Sequence, residues 1–163
     1  MIGIAVSFVI FLFGIWNTHL VKMVNYSIDS DHRAEKNYKI VLLSNLHIGQ
    51  FIGVRHLLRI VEAINKSKSN LIVIASDIFN GCSVKECEKF DEVSMLLHRL
   101  QSKDGTIAVS RNHDLLPNDV SFRNFFMQVG ITLLDDQYEE YGNLVVIGRK
   151  DIIRKKENRL PLS

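Results

Sequence analysis

The sequence predicts an α/β fold built on a parallel sheet. Three apolar, β-branched runs carry that reading: Lys39-Ile40-Val41-Leu42-Leu43, Leu71-Ile72-Val73-Ile74-Ala75 and Thr106-Ile107-Ala108-Val109. Amphipathic helical patterns fill both intervals between them. Strands that alternate with helices imply parallel pairing and right-handed crossovers. Each run also passes straight into polar residues, and parallel sheets present such groups at the carboxyl ends of their strands. At 163 residues and 47% hydrophobic, the chain has material for one core.

Taken in order, residues 1–16 contain no charged side chain and are diluted only by Gly3, Ser7 and Gly14. Sixteen helical residues span about 24 Å, short of the roughly 30 Å hydrocarbon core, so the expected membrane helix extends through Asn17-Thr18-His19-Leu20-Val21. Trp16 stands as an interfacial anchor. A cleaved signal peptide needs a basic start and a small-x-small site, and neither is present. A buried core helix is the remaining rival. Lys22, Arg33 and Lys36 follow the segment, which points the rest of the chain to the cytoplasmic side. Residues 19–29 alternate loosely through Val21, Met23 and Tyr26 to Ile28, as a strand would. A polar loop leads from there to Tyr38.

Residues 55–66 form a predicted helix with Leu57, Leu58, Val61 and Ile64 on one face and Arg59, Glu62 and Lys66 on the other. Residues 86–100 form a second, with Phe90, Val93, Leu97 and Leu100 inward. A short helix over 120–129 ends before Gly130. Two last strands, 131–134 and 144–147, are separated by the acidic stretch Asp135-Asp136-Gln137-Tyr138-Glu139-Glu140.

A formal charge of +2 is too mild to argue for nucleic acid, and no basic run is interleaved with aromatics. Cys82 and Cys87 form no Cys-x-x-Cys pair and no disulfide framework, so they read as reduced thiols. No glycine-rich dinucleotide fingerprint follows a strand, and no phosphate-cradling Gly-Lys-Ser/Thr loop occurs. His19, His32, His56 and His98 read as ordinary surface or packing residues.

The polar strand ends are Asn45-x-His47, Ser76-Asp77 and Arg111-Asn112-His113-Asp114. This ordered set resembles the calcineurin-like metallophosphoesterases, whose corresponding motifs read Asp-x-His, Gly-Asp and Gly-Asn-His-Asp/Glu. The likeness runs from about Tyr38 to Asp151, and Val41-Leu42-Leu43-Ser44 and residues 145–151 look like the membrane-anchored bacterial branch. The resemblance implies an αββα sandwich and hydrolysis of a phosphomonoester or phosphodiester at two divalent ions (Mn, Fe or Zn). It assigns metal ligation to Asn45, His47, Asp77 and Asn112, with Asp77 bridging the ions. It makes His113 the proton donor to the leaving oxygen and Asp114 the group that orients its ring.

Three positions depart from the pattern. Asn45 stands where the family has a carboxylate, and an amide oxygen brings no charge to a site that depends on anionic and imidazole ligands. Ser76 and Arg111 replace glycines, and Arg111 adds a cation where two dications should sit. Each change is one G→A step from the family residue, and Ser69-Asn70 stands where Pro-Asp is frequent. No histidine follows His113, so the family's later lone His and Gly-His-x-His have no counterpart. The expected organisation is a membrane anchor over residues 1–21, a linker or first strand over 22–37, and the amino-terminal part of a metallophosphoesterase domain over 38–163. Activity is expected to be impaired. The rival reading is an inactive, membrane-tethered domain that at most binds a partner. One sheet face, lined by Ile40, Leu42, Ile72 and Ile74 or their neighbours, is expected to be open.

Overall fold

The computed structural model describes residues 2–18, 20–29, 37–48, 52–75, 78, 90–109 and 119–149. Strands β1 (Ile40–Ser44), β2 (Leu71–Ala75), β3 (Thr106–Val109) and β4 (Thr132–Leu133) form one sheet in that order, with every neighbouring pair parallel. Helix α1 (Ile2–Thr18) precedes the sheet, and α2 (Val54–Ser67), α3 (Phe90–His98) and α4 (Asp119–Gln128) connect its strands. Because the strand order never reverses, right-handed crossovers put the three connecting helices on one face.

That face holds the main core. Leu57, Val61 and Ile64 of α2, Val93, Leu96 and Leu97 of α3, and Phe125 and Phe126 of α4 pack on Val41, Ile72, Ile74, Ala108 and Leu133. Phe125 stacks at a tilt against Phe90 and edge-on to Phe126, with ring centroids 5.3 Å apart in both pairs. The helical spacing read from the sequence is therefore the packed face; Leu96 is an addition to it. Asn65 then ties α2 to the chain beyond α3. Its amide nitrogen donates to the Arg99 carbonyl at 2.8 Å, and its amide oxygen accepts from the Gln101 N–H at 2.9 Å.

The second face is covered by an antiparallel hairpin of β5 (Gln137–Tyr141) and β6 (Leu144–Gly148). Tyr141, Leu144 and Val146 pack there on Leu71, Ile107 and Leu134. The acidic stretch is thus not merely a separator, since residues 137–140 of it lie within β5. A two-stranded ribbon with one solvated face accommodates glutamates that a central strand would not. Gly142 makes the hairpin turn with φ +64, a conformation that costs glycine nothing. The hairpin closes onto the sheet where Gly148 meets Leu134. A Cβ at position 148 would stand 2.7 Å from the Leu134 carbonyl oxygen and closer still to its Cβ.

Three expectations are corrected. Helix α1 stops at Thr18 and residues 20–29 are irregular and mostly exposed, so the helix does not extend through Val21 and the expected strand over 19–29 does not form. A strand needs a neighbour to satisfy its backbone, and no pairing involves 20–29 among the described residues. Among those residues no helix is long and apolar enough to cross a membrane. The open surface is also not the one expected. Ile72 and Ile74 are fully buried under the helices, whereas Ile40 and Leu42 are 43% and 66% exposed. Ile40 pairs with Leu71 and Leu42 with Val73, so alternation puts 40 and 42 on the hairpin face, beyond the reach of the hairpin.

A polar network closes the amino ends of the strands. The Lys39 N–H donates to Asn70 Oδ1 at 2.9 Å, the Asn70 N–H to the Lys39 carbonyl at 2.8 Å, and the Asp104 N–H to the Asn70 carbonyl at 2.8 Å. The Tyr38 hydroxyl donates to Asp104, and the Tyr141 hydroxyl donates to Glu139 at 2.7 Å. Desolvation, then the hydrogen bond to Asp104 and its charge, push the Tyr38 hydroxyl up to about 12. Desolvation, followed by Glu139, raises Tyr141 as well.

Two outcomes follow from this packing. Gly148→Ala should cost about 1–3 kcal/mol, as overpacking generally does, and chemical denaturation would register it; an unchanged midpoint would show that the hairpin does not seat on Leu134. Folded-state phenol pKa values above the ordinary 10.0 contribute stability that is complete below pH 10 and is lost as pH rises through about 12. Between those pH values the urea midpoint should fall less in a Tyr38→Phe/Tyr141→Phe variant than in the parent chain. Equal slopes would remove the phenols as the cause.

Candidate metal centre at the carboxyl edge of the sheet

Strands β1, β2 and β3 stop level. Ser44 pairs with Ala75, and Ala75 pairs with Val109. The chain beyond each strand therefore starts from one edge of the sheet, which is where an open parallel sheet offers a crevice. Asn45 and His47 occupy that edge after β1. Asp77, Asn112, His113 and Asp114 come after the ends of β2 and β3 in sequence and lie outside the described residues, as do Ser76 and Arg111.

The segment after β1 is held from both sides. Leu46 and Ile48 are buried in the helix-side core, at 4% and 1% exposure. The Ile48 N–H donates to the Ile78 carbonyl at 2.9 Å, which binds the loop of His47 to the residue that follows Asp77. The His47 carbonyl accepts from the Ile52 N–H at 3.4 Å, and Ile48 and Ile52 form an isolated parallel bridge just before α2. Buried neighbours and backbone bonds together fix where residues 45 and 47 emerge.

Both of those residues have left-handed backbone, with φ 54 at Asn45 and φ 44 at His47. Asparagine and aspartate tolerate that region through local hydrogen bonding, so position 45 suits either side chain. A histidine there is less common, and strain of this kind persists only where the surroundings impose it. Asn45 is exposed; His47 is half-buried, with Nδ1 shielded from solvent. The strained backbone was not anticipated from the sequence. Asn45 offered a hint of it, and so did His47, since asparagine, aspartate and histidine are the side chains enriched at positive φ.

As donors, these two residues provide an amide oxygen and an imidazole nitrogen. Both are competent metal ligands, and neither is anionic. Among the described residues no group of three or more His, Cys, Asp or Glu side chains converges. Asn45 and His47 thus offer two neutral donors, and no third joins them among the described residues. His56 is half-buried within α2 and His98 is exposed at the end of α3. An open cleft of about 360 Å³ lies beside the end of β4, lined by Thr132, Leu134, Asp136, Gln137, Tyr138 and Glu139, and includes neither Asn45 nor His47.

Comparison with known proteins gives this edge a context. No family model matches the chain. An uncharacterized metallophosphoesterase of Helicobacter pylori is 25% identical over 130 residues, covering 79% of this chain and 34% of that protein. A protein of Caenorhabditis elegans whose description carries the same family term is 24% identical over 166 aligned positions, covering 97% of this chain and 34% of its own. A crystal structure of the Pseudomonas putida nuclease MPE aligns with a TM-score of 0.45 and 15% identity, over 59% of this chain and 47% of that one. The chain spans about a third of the length of the curated relatives it matches. It is a distant relative of metallophosphoesterases over most of its length.

Proposed function

We propose that the chain carries the amino-terminal part of a metal-dependent phosphoesterase site, and that hydrolysis by this sequence is impaired. The level finish of β1, β2 and β3 supports the reading, because it starts all three candidate motifs from one edge. Two divalent ions (Mn, Fe or Zn), when bound, would hold a phosphate and activate a water between them. Asp77 would bridge them, Asn45 and His47 would complete one side, and Asn112 would give its amide oxygen to the other. His113 would protonate the leaving oxygen of a phosphomonoester or phosphodiester, with Asp114 orienting its ring.

Impairment follows from the donors. Asn45 leaves the first ion without the carboxylate charge, and Arg111 adds a cation to the third motif. One observation favours the rival reading of an inactive domain: the two candidate ligands within the described residues are both neutral.

Metal binding and turnover test the proposal together. The chain should hydrolyse bis-p-nitrophenyl phosphate in Mn²⁺ barely above background. Asn45→Asp should tighten Mn²⁺ binding by roughly tenfold or more, judged by the 10–100-fold effects of even indirect ligand partners. It should leave the unfolding midpoint nearly unchanged, because aspartate also tolerates the backbone at φ 54. Robust turnover by the parent chain would refute impairment, and absence of metal binding by Asn45→Asp would count against the site.

Position 47 provides a separate check on geometry. Glycine usually destabilises relative to alanine, but at φ 44 the order should reverse. His47→Gly should be more stable than His47→Ala by about 1 kcal/mol, while both lose the imidazole and bind Mn²⁺ less well than the parent. Greater stability of the alanine variant would show that residue 47 is not held in the left-handed region.

A further inference from the structure

Most of the surface of helix α1 is exposed and apolar. It carries no charged side chain over its 17 residues. Ile4 is 78% exposed, Phe8 60%, Phe11 63% and Trp16 61%, and Val6, Val9, Ile10 and Phe13 are exposed as well. At 100° per residue these positions are distributed round most of the helix, and the remaining strip is formed by the small, uncharged Gly3, Ser7 and Gly14. A helix that docks in a protein groove has one apolar face and one polar face. Here there is no polar face to leave in water. A helix that lies flat on a membrane needs a polar face too. What covers α1 must therefore surround it.

We propose that α1 penetrates a lipid bilayer end-on, with its carboxyl end at the headgroups. Acyl chains are the surroundings that match a helix apolar on all sides. Trp16 and Asn17 end the apolar stretch and Lys22 follows, an order suited to the boundary between hydrocarbon and water. Seventeen residues rise about 25 Å, less than the roughly 30 Å of hydrocarbon. Its described residues therefore reach deep into the core, with Ile4 in the far half. This inference does not depend on the phosphoesterase reading.

Trp16 is the chain's single tryptophan, so its fluorescence reports on α1 alone. The full chain should float with neutral phosphatidylcholine vesicles and remain with them in 1 M salt, since the attraction is not electrostatic. Trp16 emission should shift to the blue, and a headgroup-level quencher should act on it more strongly than one at the acyl-chain ends. In a Trp16→Phe/Phe8→Trp variant the order of the two quenchers should reverse. Val9→Lys should reduce vesicle partitioning by roughly a hundredfold, the cost of a charge near mid-helix. The quenching series on the unmodified helix stands whether or not that variant folds. Equal quenching depth at positions 8 and 16 would overturn end-on penetration. A stable oligomer in buffer that does not float would assign α1 to a second copy of the chain instead.

Discussion

The structure depends on the parallel register that levels β1, β2 and β3. Each step of that register is set by burial. Ile72 and Ile74 must face the helices, so Val41 and Leu43 face them from β1 and Ala108 faces them from β3. A slip by one residue would turn these side chains to the opposite face and bring Ile40, Leu42, Leu71 and Ile107 under the helices. The core therefore does more than stabilise the fold. It decides that the chain beyond Ser44, Ala75 and Val109 begins at one edge, where polar residues can be gathered without breaking the apolar interior.

The two ends of the sheet use polar groups differently. At the amino ends, Asn70, Lys39 and Asp104 exchange backbone and side-chain hydrogen bonds, and Tyr38 adds its hydroxyl to Asp104. Those groups satisfy one another, which is what a structural network requires. An aspartate at position 70 could accept the same Lys39 N–H, so the bond itself does not select asparagine. At the carboxyl ends, Leu46 and Ile48 are buried on either side of His47, and left-handed backbone appears at residues 45 and 47. Lys68 and Asp136 have the same left-handed backbone, so at residues 45 and 47 it shows that the surroundings hold these positions and does not by itself mark chemistry. In the proposed site an amide would stand at this edge where a charged ligand would bind more strongly.

Coverage of the sheet is uneven. Helices shield one face from β1 to β4, while the hairpin reaches only the second face of β2 and β3 and the chain beside β4. Ile40 and Leu42 remain open on β1, the strand at the edge of the sheet. Its outer backbone groups have no strand beside them among the described residues, and no charged side chain interrupts Ile40–Ser44. Together with α1, this makes the amino-terminal third the most apolar part of the described surface. The close approach of Gly148 to Leu134 has the opposite effect at the far side, where it pins the hairpin against the sheet.

The sequence by itself determined the α/β class, the positions of β1, β2 and β3 and the inward faces of α2 and α3. Those features are local: a β-branched run bounded by polar residues, and apolar side chains recurring at helical spacing, carry their meaning wherever the chain goes. The ordered residues Asn45, His47, Asp77, Asn112, His113 and Asp114 were legible as candidates through their resemblance to metallophosphoesterase motifs. Tertiary structure decided what depends on neighbours. Residues 20–29 alternate like a strand yet pair with no strand among the described residues, although the outer edge of β1 is open there, while Tyr138 to Tyr141 look like a polar link and become a strand because Leu144–Gly148 folds back beside them. The exposure of Ile40 and Leu42, against the complete burial of Ile72 and Ile74, is a matter of register between strands about thirty residues apart. No local pattern distinguishes these four isoleucines and leucines, because sidedness in a sheet is fixed by the partner strand and by what packs on each face.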